Sequence, residues 1–223
     1  MRGNDETCVD DRVRELAAQL RGPVRLKADL LTEARHALLD AAEAYREDGL
    51  PAAEAGRRAV AEFGTPAQLV PAYQAELAAG ALRGLALRVV LFAVPVFLGA
   101  DLTWRGAPWA DATAAPAGYG LLSSALNWLW GTALGLAVAG LLLATVGARY
   151  GRVGRPAVSR AAGFALTAVL ALGTLSTVAL WGWSLDLWQG LLTWPPMIVG
   201  IALIGAGQLW LGGAARSWLL ATR

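Results

Sequence analysis

From Leu85 onward the chain presents four apolar stretches, at about Leu85–Trp104, Leu121–Val146, Ala161–Trp181 and Trp194–Gly213. A hydrocarbon core about 30 Å thick is crossed by roughly 20 apolar residues in a helix. Within it, each helix must pair its backbone N–H and C=O groups internally. Four such stretches joined by short connections predict a four-helix transmembrane bundle over residues 83–223. Residues 1–82 contain no comparable run, so they must fold by other means.

Charge divides the chain at the same place. Met1 to Leu82 holds 14 acidic and 10 basic residues, a net of −4, whereas Arg83 to Arg223 holds 9 basic and 3 acidic, a net of +6. Such asymmetry marks two physical environments. Arginine outnumbers lysine 18 to 1 among abundant Ala and Gly, the usage of a GC-rich bacterial genome, so the membrane is expected to be a bacterial plasma membrane. The one cysteine, Cys8, excludes an intrachain disulfide and a cysteine-based zinc site. No signal peptide opens the chain, and residues 1–82 are expected to stay in the cytoplasm.

Orientation follows from the arginines. Arg83 and Arg88 precede the first span, Arg149, Arg152, Arg155 and Arg160 flank the connection between the second and third, and Arg216 and Arg223 follow the fourth. The other two connections contain only Arg105, with Asp101, Asp111 and Asp186 in or beside them. Both termini are therefore expected on the cytoplasmic side. Most tryptophans (Trp104, Trp109, Trp181, Trp183, Trp188 and Trp194, with Trp128 and Trp130 in span two) fall towards the opposite side. They read either as an aromatic belt in the headgroup layer or as an outer cap that receives a lipid or another stimulus.

Within the spans, Pro95 is expected to kink the first helix. Pro195 and Pro196 fit the first turn of the fourth, where a missing N–H costs little. Gly131 and Gly135 form a small-xxx-small pair that lets another helix approach. Arg88 is expected to extend its head to the interface. Asn127 and Gln208 are the deepest strongly polar side chains, suited to interhelical hydrogen bonds or to a ligand. No proton relay, ion filter or paired catalytic groups occur in the spans.

The first 80 residues read as four helices: Thr7–Leu20, Pro23–Asp48, Pro51–Phe63 and one opened by Thr65. Gly49 suits a left-handed C-cap, and Thr65-Pro66-Ala67-Gln68 fits a capping box with proline at the first helical position. The turn Phe63, Gly64, Thr65, Pro66 and Gln68 is thereby specified from both sides. Helical periodicity predicts a core from Leu31, Ala34, Leu38, Ala41 and Tyr45, broadened by Leu30, Ala37 and Ala44, from Ala55, Ala59, Val60 and Phe63, and from Leu69, Val70, Tyr73 and Leu77. Phe63 and the two tyrosines are its expected large members. The expected fold is all-α, a small cytoplasmic four-helix domain followed by the transmembrane bundle.

Helix two also carries Asp29, Glu33, His36, Asp40, Glu43 and Glu47 at alternating spacings of four and three, one row along the helix. This is either a solvated face or a docking surface for a basic partner. Its charge argues against direct nucleic-acid binding. His36 is flanked by Glu33 and Asp40, but a metal would require better ligands. With no phosphate loop, nucleophile elbow or kinase motif, neither an enzyme nor a cofactor is expected.

The stretch LKADLLTEARHALLDAAEAYREDG, followed by PAAEAGRRAVAEFGTPAQLVPAYQAEL, resembles the HAAS family, helix-turn-helix-associated α-helical signalling domains, known in GC-rich bacteria as the permease prefix domain. The Phe63-Gly64-x-Pro66 turn is the most specific part, and the likeness covers about residues 8 to 80. Leu50 stands where the family usually has a polar cap before helix three. Members typically place this domain before membrane helices and are commonly encoded beside PadR-like winged-helix transcription regulators. The resemblance implies a membrane-anchored, non-enzymatic signalling protein that binds such a regulator. The alternative is an accessory or permease-like subunit of an ABC-type export system, for which one short chain is small. Homo-oligomerisation stays open in both.

Overall fold

The proline and glycine punctuation marks most helix ends. In a computed structural model, which describes residues 3–99, 105–107, 115–149, 156–188 and 190–222, seven α-helices form among the described residues. They are α1 (Gly3–Gln19), α2 (Val24–Glu47), α3 (Ala52–Phe63), α4 (Pro66–Gly99), α5 (Ala117–Arg149), α6 (Pro156–Leu187) and α7 (Pro195–Ala221), with a 3-10 turn at Leu191–Thr193. Pro66, Pro156 and Pro195 each open a helix, where the missing N–H has no partner to lose. Helix α2 closes in a Schellman motif: Leu50 N–H donates to the Tyr45 carbonyl, Gly49 N–H to the Arg46 carbonyl, and Gly49 takes φ 93°.

Helix α4 departs from expectation. Sequence periodicity suggests a fourth soluble helix and then a separate first span, but Pro66–Gly99 is one helix of 34 residues. Nothing between Leu77 and Leu85 can stop it. Gly80 and Gly84 cost about 1 kcal/mol each against alanine, and Gly80 lies against Leu26, whose Cδ1 would stand 3.3 Å from an added Cβ. The helix also continues through Pro95. The expected end of this span, up to Trp104, lies outside the described residues.

Four helices (α4, α5, α6 and α7) are long and apolar enough to cross a membrane. Their windows are only 11–28% buried within the chain, and large side chains such as Leu98, Leu121, Leu203 and Leu209 are exposed. Such a surface suits hydrocarbon rather than water.

The chain divides into two compact units, one of Met1–Ala81 with Ser217–Arg223 and one of Leu82–Arg216. A boundary drawn after residue 82 therefore leaves out a C-terminal segment of the first unit. Ala221 is fully buried, its Cβ would lie 3.5 Å from one added at Gly22, and its carbonyl accepts a 2.6 Å hydrogen bond from Gln74 Nε2. Gln74 also donates to the Arg21 carbonyl and accepts from Arg21 N–H. One amide thus ties α4 to the α1–α2 turn and to the end of α7.

The core of the first unit differs from the expected one. Val9, Leu16, Leu20, Leu38 and Leu77 are buried, as is Trp218, whereas Phe63, Tyr45 and Tyr73 are only partly covered. Tyr45 instead hydrogen-bonds Glu62 through its hydroxyl, with the Arg58 guanidinium 5.1 Å from its ring centre. Helix α1, for which no core residue was expected, contributes Val9 and Leu16, and Leu20 follows directly after it.

In the second unit Leu85 and Val89 of α4, Ala133 and Ala137 of α5, Leu166 and Leu170 of α6, and Leu211 and Ala214 of α7 form one buried cluster. The small pair that packs is Ala133/Ala137. A Cβ at Gly131 or Gly135 would meet nothing within 4 Å among the described residues. Gly207 matters more, because a Cβ there would clash with the edge of the Phe92 ring.

Candidate functional site

The carboxylate row is built by the register of α2. At about 100° per residue, Ala34, Leu38 and Ala42 lie on the side of the helix opposite the row, and these three are its buried residues. Ala37 and Ala44, expected in the core, sit within about 80° of the row by the same geometry, and both are exposed. Ala42 replaces Ala41 as the buried member for the same reason. The acidic row stands across the helix from the apolar seam.

Asp29, Glu33, His36, Asp40, Glu43 and Glu47 are all exposed. Asp29 to Glu47 covers about 27 Å at 1.5 Å per residue. Glu43 has Arg46 Nη2 at 3.8 Å. Among the described residues, Asp29, Glu33, Asp40 and Glu47 have no cation within 4 Å. Of the other charges on α2, Arg35 Nε meets Asp10 Oδ1 at 2.7 Å, joining α2 to α1, and Lys27 Nζ donates to the Leu20 carbonyl. Most of the row is left without an ion pair among the described residues. His36 has Glu33 and Asp40 one turn away, but among the described residues no three His, Cys, Asp or Glu side chains converge on a metal position.

The Phe63–Gln68 turn presents no reactive group. Gly64 takes φ 102°, a region in which a side chain is strained. Thr65 N–H donates to Gln68 Oε1 at 2.9 Å, the returning half of a capping box. The Thr65 hydroxyl also points to Gln68 Oε1, at 3.0 Å, while Gln68 N–H bonds the Thr65 carbonyl. Arg12 Nη1 donates to the Gly64 carbonyl at 2.8 Å, fixing the turn against α1. Sequence reasoning missed Arg12, whose partner is 52 residues away. Next to the turn, hydrogen bonds from Tyr45 and then from Arg58 hold the Glu62 carboxyl below its ordinary pKa.

In the four-helix unit the two deepest polar side chains part ways. Asn127 is exposed on α5. Gln208 Nε2 is enclosed and has no hydrogen-bond partner among the described residues, and neither has the Thr167 hydroxyl. Both line a cavity of about 130 Å³ between α5, α6 and α7. Trp130, expected in an aromatic belt, instead turns inward to line this cavity and packs on Phe92 at 5.4 Å between ring centres. Arg88 lies over Trp210, 5.5 Å from the ring centre. Of the expected outer cap, residues 103–120 and 181–190, residues 103–104, 108–114 and 189 lie outside the described residues. The described part brings Tyr119 to Ser184 in a 3.0 Å hydrogen bond, edge-on to Trp183 and Trp188.

Compared with family models, with curated proteins and with solved structures, the chain matches none.

Proposed function

We propose that this chain is a membrane-anchored, non-enzymatic signalling protein of a bacterial plasma membrane, with both termini in the cytoplasm. Its N-terminal four-helix domain docks a PadR-like winged-helix transcription regulator through Asp29, Glu33, Asp40, Glu43 and Glu47. The observation that carries this reading is the exposed acidic row opposite the buried seam of α2. A row of largely unneutralised carboxylates attracts and orients a basic surface. The resemblance of residues 8 to 80 to HAAS domains supplies the type of partner.

The test titrates the full chain, reconstituted in nanodiscs, with the winged-helix regulator encoded beside it. Binding is expected to weaken as salt rises, since exposed charges are screened beyond about 8 Å at physiological ionic strength. Glu33→Lys, Asp40→Lys and Glu43→Lys together should leave helix content unchanged, because the sites are exposed, and should slow and weaken association. Equal affinity of this variant would reduce the row to a solvated face. Absence of binding by the unaltered chain would end the proposal.

A further inference from the structure

We propose that the four-helix unit holds a binding site for a small uncharged molecule with an apolar body and one hydroxyl or carbonyl oxygen, in the cavity between α5, α6 and α7. Two independent polar atoms point to it. Hydroxyls in the long helices usually find a carbonyl of their own helix: Thr132 bonds the Trp128 carbonyl, Thr174 that of Leu170, Thr177 that of Gly173 and Ser184 that of Leu180. Thr167 does not, and its hydroxyl is left unpaired at the cavity wall. The Gln208 Nε2 group, from another helix, is unpaired at the same cavity. Enclosed polar groups in hydrocarbon are costly unless something pairs them.

The lining selects the ligand. An amide N–H₂ requires an acceptor, and a threonine hydroxyl accepts or donates. A single hydroxyl on the ligand satisfies both, accepting from Gln208 and donating to Thr167. No ionisable side chain lines the cavity, so a charged ligand would be uncompensated. Trp130, Leu170 and Leu211 supply apolar and aromatic surface for the rest of the molecule. The volume of about 130 Å³ is close to the roughly 150 Å³ of an apolar cavity that accepts benzene. A single water would have these two groups as its minimum of partners and, at about 30 Å³, would leave most of the apolar space empty. An acyl chain end fills the space and leaves both polar atoms unpaired. A second copy of the chain would have to reach atoms that are already enclosed. Ala171 and Gly212 line the cavity and are themselves exposed, which gives a ligand entry from the surrounding hydrocarbon.

The position of Trp130 is supported from behind. Phe92 packs on Trp130 and is seated where Gly207 lacks a side chain. The residue before Gln208 therefore holds the wall that faces it. This site lies wholly within the Leu82–Arg216 unit, so it stands or falls separately from the α2 docking surface.

The experiment measures retention of p-cresol and of toluene by the full chain in nanodiscs, with empty nanodiscs subtracted. Saturable p-cresol binding is expected, with toluene weaker by roughly five- to tenfold for the lost hydrogen bonds. Gln208→Leu and Thr167→Val each remove one of the two hydrogen bonds and should each weaken p-cresol by roughly two- to threefold, leaving toluene unchanged. Thermal unfolding should show both variants at least as stable as the parent, since each removes an unpaired polar group. Ala171→Leu should occupy the cavity and abolish binding of both probes. Equal retention of p-cresol and toluene, p-cresol binding unaffected by Gln208→Leu, or no saturable binding at all would overturn the site.

Discussion

The two units solve the same problem, fixing helices against one another, with opposite means. In the N-terminal unit polar side chains reach across the sequence: Arg12 to Gly64, Asp10 to Arg35, and Gln74 to Arg21 and Ala221. In the four-helix unit most hydroxyls serve their own helix, and contact is made by small residues and rings, such as Ala133 and Ala137 or Gly207 under Phe92. The described residues of the N-terminal unit expose only Val24 and Leu220 among large hydrophobic side chains, whereas the other unit exposes many. Water makes each surface polar group cheap and burial of apolar area favourable. Hydrocarbon removes that drive and leaves close packing as the main source of specificity.

The comparison can be broken most severely at Trp218. It is 1% exposed and belongs to the N-terminal unit, so Trp218→Ala should cost about 3–5 kcal/mol. Hydrogen exchange on the full chain should show the loss in amides of the N-terminal unit. Protection lost only in α5 and α6 would contradict the assignment of this segment. Next in size is Gly207→Leu, which drives a side chain into Phe92 and should destabilise the four-helix unit by about 1–3 kcal/mol. Adding Phe92→Ala should recover part of that loss, a coupling measurable as a double-mutant cycle.

A smaller effect is expected at the turn. Phe63 is only partly buried, so Phe63→Ala should cost less than the 3–5 kcal/mol typical of a buried ring. Thr65→Ala removes one exposed hydroxyl hydrogen bond to Gln68 and keeps the backbone half of the capping box, so it should cost about 0.5–1 kcal/mol. Urea unfolding of the full chain measures both. The smallest effect concerns acid. Because hydrogen bonds from Tyr45 and Arg58 lower the folded-state pKa of Glu62, its contribution is present above the ordinary glutamate pKa of about 4.3. It is lost as pH falls from there through the lowered value. Glu62→Gln should lower stability slightly at neutral pH, where the contribution is present, and flatten the stability profile through that acid window.

What was legible in the sequence was local. Gly49, Gly64, Pro51 and the Thr65–Gln68 box placed helix ends because capping chemistry acts within four residues. The exposure of the α2 row followed from a period that one helix sets alone. Run length identified four membrane-compatible helices. Illegible were the choices made by distant partners. Gln74 carries no sequence signal for a bond to Ala221, 147 positions away. Trp130 looks like a belt tryptophan until Phe92 covers it. Phe63 reads as core by hydrophobicity, yet leucines of α1 and α4 took the centre. Gln208 reads as polar and deep, suited first to an interhelical hydrogen bond and only second to a ligand, and no sequence signal marks the cavity beside it.

The place of Trp218 and Ala221 in the N-terminal unit has a consequence for biosynthesis. Domains generally fold in the order they leave the ribosome, at roughly 5–20 residues per second. Here the helices made first lack their last packing partners until residues past 217 have been made. The interval after Leu77 is roughly 7–28 s at those rates. During it the end of α1 and the part of α4 around Gln74 and Leu77 present an incomplete face, open to chaperones and proteases. A chain that stalls before α7 would leave that face permanently exposed, a degradation signal written into its earliest helices.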